Sequence, residues 1–177
     1  MPTDSADQSS DYTHSGIVVP CELRDKGAWI PLVVFIHPDQ LLALKDAGQT
    51  PSVTGAQVNG LIDTGATRTC IPDAIAQKLG LQQSQTIPVS GVGGGSECPV
   101  YLAEIQIGPW RQEWQVVGTG PRIPSLIGRD VLRFFSLFFI GPDELFILYH
   151  GVPPFINKLT QAGLKQSRGK QFEIKLS

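Results

Sequence analysis

Val58-Asn59-Gly60-Leu61-Ile62-Asp63-Thr64-Gly65-Ala66 is a mainly apolar run, closing on Leu61 and Ile62, that leads at once into a carboxylate, a hydroxyl and a glycine. The first five residues read as a strand, and the next four as a tight loop at its end. An aspartate delivered to a strand end by Leu61 and Ile62 loses water on the approach, so its charge needs support from hydrogen bonds. Gly65 can give that support, because without a side chain its N–H comes close to the carboxylate. Thr64 adds a hydroxyl able to lock the loop to a neighbour. The same triplet also suits a plain surface turn, so its surroundings have to decide between the two.

Upstream, Ile17-Val18-Val19-Pro20 and Trp29 to Ile36 are β-branched and aromatic runs bounded by Gly, Pro and charge, and both read as strands. Pro38 to Val53 reads as an insertion at the domain edge, with Leu41, Leu42, Leu44 and Lys45 in a short helix that Gly48 ends. Downstream, Pro72 to Leu79 predicts a helix with Gly80 just past its end. Ile87 to Ser90, the glycines from Gly91 to Gly95 and Val100 to Ile107 predict a hairpin with a flexible tip, followed by a strand over Glu113 to Val117. Ser125-Leu126-Ile127-Gly128-Arg129-Asp130 ends another strand, and Val131 to Phe135 gives one or two helical turns. Leu137 to Ile140 and Glu144 to Tyr149 form a last hairpin through Gly141-Pro142-Asp143.

The organisation that follows is a polar, flexible arm over 1–15, one domain over 16–156 and a basic tail over 157–177. The tail carries Lys158, Lys165, Arg168, Lys170 and Lys175 against Glu173 alone, which fits a solvated segment. Phe172, Ile174 and Leu176 alternate with polar residues, which equally fits a strand pairing with a second subunit.

Composition and spacing remove most other functions. A formal net charge of -2 offers no footprint for nucleic acid. Cys21, Cys70 and Cys98 are an odd number without a C-x-x-C pair, against both a disulfide framework and a zinc cage. His14, His37 and His150 are too dispersed for a helix-borne metal site. Gly91 to Ser96 fits neither a dinucleotide nor a P-loop fingerprint, and there is no G-x-S-x-G elbow. The first ten residues lack the regions of a secretory signal, and the most apolar stretch, Val131 to Leu148, is broken by Arg133, Pro142, Asp143 and Glu144. A soluble, cytoplasmic or otherwise intracellular protein without membrane or nucleic-acid partners is expected.

Leu61-Ile62-Asp63-Thr64-Gly65-Ala66 resembles the active-site motif of the retropepsin-like aspartic proteases, and Leu126-Ile127-Gly128-Arg129-Asp130 resembles their second hallmark at the usual distance downstream. The resemblance covers roughly Ile30 to Leu148. It implies a mainly β fold, a closed barrel with one or two short helices and one lobe per subunit. It also implies a flap over 87–107 and no metal or other cofactor. A single Asp-Thr-Gly then implies a homodimer, with Asp63 of each subunit meeting at the two-fold axis and acting as an endopeptidase on extended polypeptide. Asp63, Thr64 and Gly65 would be the catalytic group, and Ala66, Thr67, Val92, Gly93, Gly94 and Gly95 would touch substrate. Gly128, Arg129 and Asp130 would be structural. Viral members have an aspartate where this chain has Thr67, so Arg129 needs another partner, Asp130 or Asp73. The missing aspartate also leaves open a non-proteolytic module that binds peptides or a partner protein on the same fold.

Overall fold

The computed structural model describes residues 18–24, 27–91, 94–140 and 145–150. The expected arm, the tail strand, the hairpin-tip residues Val92 and Gly93 and the turn at 141–143 lie outside the described residues.

Strand β2 (Gly27–Ile36) sets the pattern for the core. Ala28, Ile30, Leu32, Val34 and Ile36 are buried on one face of it, as the period of a pleated strand requires. β3 (Gly55–Ile62) lies antiparallel to it, with Trp29 opposite Leu61 and Phe35 opposite Gly55. β8 (Ser125–Ile127) adds in parallel to β3, Ile62 opposite Ile127. β4 (Cys70–Pro72) joins β8 through the Cys70–Leu126 pair and runs parallel to β7 (Trp110–Thr119). β7 pairs antiparallel with β6 (Gly94–Ile107), and β6 returns to β2 through Val34 opposite Ile105. These six strands therefore close into a barrel, which removes the open edges of a sheet.

β5 (Gln83–Gly91) hangs from β6 as the outer arm of the glycine-tipped hairpin. On the other side β1 (Val18–Arg24) extends β2, followed by β10 (Leu145–His150) and β9 (Phe135–Ile140). Three short helices complete the described residues: α1 (Pro38–Asp46), α2 (Asp73–Leu79) and α3 (Arg129–Leu132). α1 buries none of its residues and is tied down by Gln40, whose amide donates to Gly80 O at 2.6 Å and whose Oε1 accepts from Gln82 N at 3.1 Å. Gly80 closes α2 in the left-handed region at φ 62°, a conformation that favours glycine.

β6 changes its buried side halfway. Tyr101, Ala103, Ile105 and Ile107 face the main core, whereas Val100 and Cys98 join Cys70 and Val117 in a second, smaller cluster. The switch falls where β5 and β6 slip register at Gln83–Gln85, so one strand supplies both the barrel filling and the floor beneath the hairpin. Candidate site residues lie directly over that floor.

Candidate active site

The loop after β3 is held by hydrogen bonds reaching in from both hallmark segments. Asp63 N donates to Ile127 O at 3.1 Å, Arg129 N to Ala66 O at 2.9 Å and Asp130 N to Thr67 O at 3.3 Å. β8 and the start of α3 therefore act as a clamp that fixes where residues 63–67 lie. Asp63 Oδ1 accepts from Gly65 N at 2.8 Å and from Ala66 N at 3.1 Å, while Oδ2 accepts nothing from a described residue. One oxygen is anchored and the other remains available for chemistry. A Cβ on Gly65 would stand 3.1 Å from Oδ1, so the close approach suits a residue without a side chain. Thr64 and Gly65 are exposed at the loop tip.

Asp130 does not pair with Arg129. Its Oδ2 accepts from Thr69 N at 3.1 Å and from the Trp114 indole at 3.0 Å, and its Oδ1 from the Thr69 hydroxyl at 2.8 Å and Val131 N at 2.9 Å. Thr69 Oγ1 accepts in turn from Gly128 N at 3.1 Å. Asp73, the other partner expected for Arg129, is taken by the Tyr101 hydroxyl at 2.5 Å and the Gln77 amide at 3.0 Å. With both carboxylates already satisfied, Arg129 is exposed and forms no ion pair among the described residues. Thr69 and Trp114 thus support the loop without having been singled out in the sequence. Thr69 is fully buried, and Trp114 reaches the loop only through the β6–β7 hairpin.

Asp63, Gly65, Ala66 and Thr67 line a cleft of about 660 Å3, and across it stand Ile87 to Ser90 of β5. Arg68, Cys70, Val117, Thr119, Ile123 and Leu126 complete the wall, and Val117, Thr119 and Ile123 were not apparent as site residues in sequence. Gly94 and Gly95 lie at the exposed end of the hairpin and are not part of the cleft lining. No group of three His, Cys, Asp or Glu side chains converges as a metal site among the described residues, and no described helix is long and apolar enough to cross a membrane.

Beneath the cleft, burial pushes the Cys70 thiol up to about 11, with Asp130, Cys98 and Asp63 adding to the effect in that order. Burial and the hydrogen bond to Asp73 likewise push Tyr101 up to about 12. Both groups hold their protons more tightly when folded than when unfolded. The stability they contribute is complete below about pH 9 and lost as pH rises through the folded values. The thermal midpoint should therefore fall steadily between about pH 9 and 11, less steeply in Cys70→Ala; a midpoint constant across that range would contradict the shifts.

Residues 50–131 match the family model for aspartyl proteases. Among solved structures, the chain is similar to a retropepsin-like aspartic protease from Rickettsia conorii, at 20% identity and a TM-score of 0.48 over 76% of this chain and 90% of that one. It is also similar to EIAV protease, at 22% identity and a TM-score of 0.38 over 44% and 75% of the two chains. A third similar structure is the simian foamy virus (mac) protease, at 20% identity and a TM-score of 0.38 over 59% and 92%. No curated protein sequence gives a match. The matched segment carries Asp63 and the Gly128-Arg129-Asp130 turn, and it lies within the mainly β, closed six-strand barrel described above.

Proposed function

We propose that the protein is an aspartic endopeptidase that works as a symmetric homodimer, with Asp63 from each subunit forming one catalytic pair. The observation that carries this reading is the state of the Asp63 carboxylate. One oxygen is fixed by two backbone N–H groups, and the other has no described donor, at the edge of a cleft sized for an extended peptide. The exposed position of Thr64 and Gly65 supports a seam at this loop tip, where Thr64 would bond across the axis to its counterpart.

Two carboxylates brought within a few ångströms share one proton, the known behaviour of an aspartic-protease pair. The ionised Asp63 takes a proton from a water as that water attacks the peptide carbonyl. The protonated Asp63 hydrogen-bonds the developing oxyanion, and a proton passed to the leaving amine completes hydrolysis. Gly65 would offer backbone contacts to substrate beside Ala66 and Thr67. The β5–β6 hairpin, with Val92, Gly93, Gly94 and Gly95 at its tip, would close over the peptide as a flap and exclude water.

Incubating the protein with an unfolded polypeptide across the acid and neutral range, with and without a transition-state-mimicking aspartic-protease inhibitor, tests the reading. Inhibitor-sensitive fragmentation is expected. Binding of the polypeptide with no cleavage at any pH would instead leave a peptide-binding module on this fold.

A further inference from the structure

Among the described residues, Arg68 is the only cation lining the Asp63 cleft and Asp63 the only acid there. The remaining wall, including Ile87, Val89, Ile123 and Leu126, is apolar or carries hydroxyls. The backbone around Arg68 is held firmly. Its carbonyl accepts from Cys70 Sγ at 3.4 Å, and both flanking stretches are stitched to other elements through Thr67 O and Thr69 N. The guanidinium itself is exposed and forms no ion pair or side-chain hydrogen bond among the described residues. A guanidinium left unpaired among the described residues, carried on a fixed backbone beside apolar walls, suits a carboxylate, because its fork of N–H donors fits two carboxylate oxygens.

A second cavity, of about 690 Å3, continues from the same place, since Thr67 and Arg68 line both. It adds Arg129 and Arg133, the latter set 4.9 Å from the Phe134 ring centroid and 6.0 Å from that of Trp114. The acids on its wall are already engaged: Glu113 lies 3.3 Å from His37 Nε2, and Asp130 is bound to Thr69 and Trp114. Three arginines, Arg68, Arg129 and Arg133, thus face two carboxylates on this wall, which leaves a cationic excess leading outward from the reacting centre.

We propose that the substrate is an extended peptide with apolar residues about the scissile bond and an acidic side chain near it. Arg68 is the selecting group, and Arg129 and Arg133 favour further acidic residues on the same side. This specificity rests on the proteolytic reading of Asp63, and it is open to a test that does not depend on turnover. A set of fluorescent peptides of one apolar sequence, with Glu, Gln or Lys scanned through the flanking positions, is titrated into Asp63→Asn protein by anisotropy. The same peptides in quenched form are given to the wild-type protein.

At one flanking position the Glu peptide should bind about fivefold more tightly than Gln, and more tightly still than Lys, an advantage that falls with added salt. Arg68→Glu should reverse that order and Arg68→Gln should flatten it, with circular dichroism confirming that both variants fold. The kcat/KM values of the wild-type protein should follow the same ranking. Equal binding of Glu, Gln and Lys at every position overturns the proposal, as does a Glu preference untouched by both Arg68 variants. Acid-selective binding without any cleavage by the wild-type protein would uphold the preference and remove the proteolytic reading alone.

Discussion

Asp63→Asn is expected to lower kcat/KM for peptide hydrolysis by about four orders of magnitude while leaving the fold unchanged. The asparagine has the shape of the aspartate, and its carbonyl oxygen can still accept from Gly65 N and Ala66 N, now at 2.8 and 3.1 Å from Oδ1. What disappears is the charge that takes a proton from water and the proton that supports the oxyanion. Thermal unfolding of the variant should match that of the parent within a few degrees, which separates a chemical defect from a structural one. Turnover near the parental level would exclude Asp63 from the reaction.

Gly128→Ala should destabilise the protein by about 3 kcal/mol or more and take activity down with it. The reason is space and not backbone conformation, since Gly128 has φ -86° and ψ 175°, which any residue adopts. A Cβ there would stand 2.4 Å from Arg68 C, 2.5 Å from Arg68 O and 2.9 Å from Thr69 N. All three are backbone atoms of the segment leading into β4, so no side chain can rotate aside. Relieving the clash requires α3 and the Asp63 loop to separate, which strains the bonds from Arg129 N to Ala66 O and from Gly128 N to Thr69 Oγ1. The urea midpoint, taken with an unchanged m-value, reports the loss; a change below about 0.5 kcal/mol would show that the two segments can part freely.

Much of the barrel is legible in the sequence because local chemistry and burial agree there. Trp29 to Ile36 is a continuous β-branched and aromatic run, so β2 is legible as a strand although its buried face is not, since both faces are apolar, and Gly80 marks the end of α2. The Asp63 loop and the Gly128 turn are readable as short motifs whose residue types have stereochemical reasons. What is hidden depends on partners far apart in the chain. The closure of β6 on β2 is set by three-dimensional fit, and no feature near Val34 names Ile105 as its neighbour. The expectation that Asp130 or Asp73 pairs with Arg129 rests on opposite charge, but hydroxyl, amide and indole donors from Thr69, Gln77, Tyr101 and Trp114 reach those carboxylates first. Val117, Thr119 and Ile123 read as ordinary strand and loop residues, and become cleft wall only once β7 and β8 lie beside the loop.

The central claim is that one site is built from two chains, and mixing tests it directly. Wild-type and Asp63→Asn protein are combined in varied ratio at constant total concentration, allowed to exchange subunits, and assayed for peptide hydrolysis. If both carboxylates are needed at one seam, a mixed pair is inactive and activity falls as the square of the wild-type fraction, to about one quarter at equal amounts. Activity in simple proportion to the wild-type fraction would mean that each chain cuts peptides by itself, and would contradict the shared site.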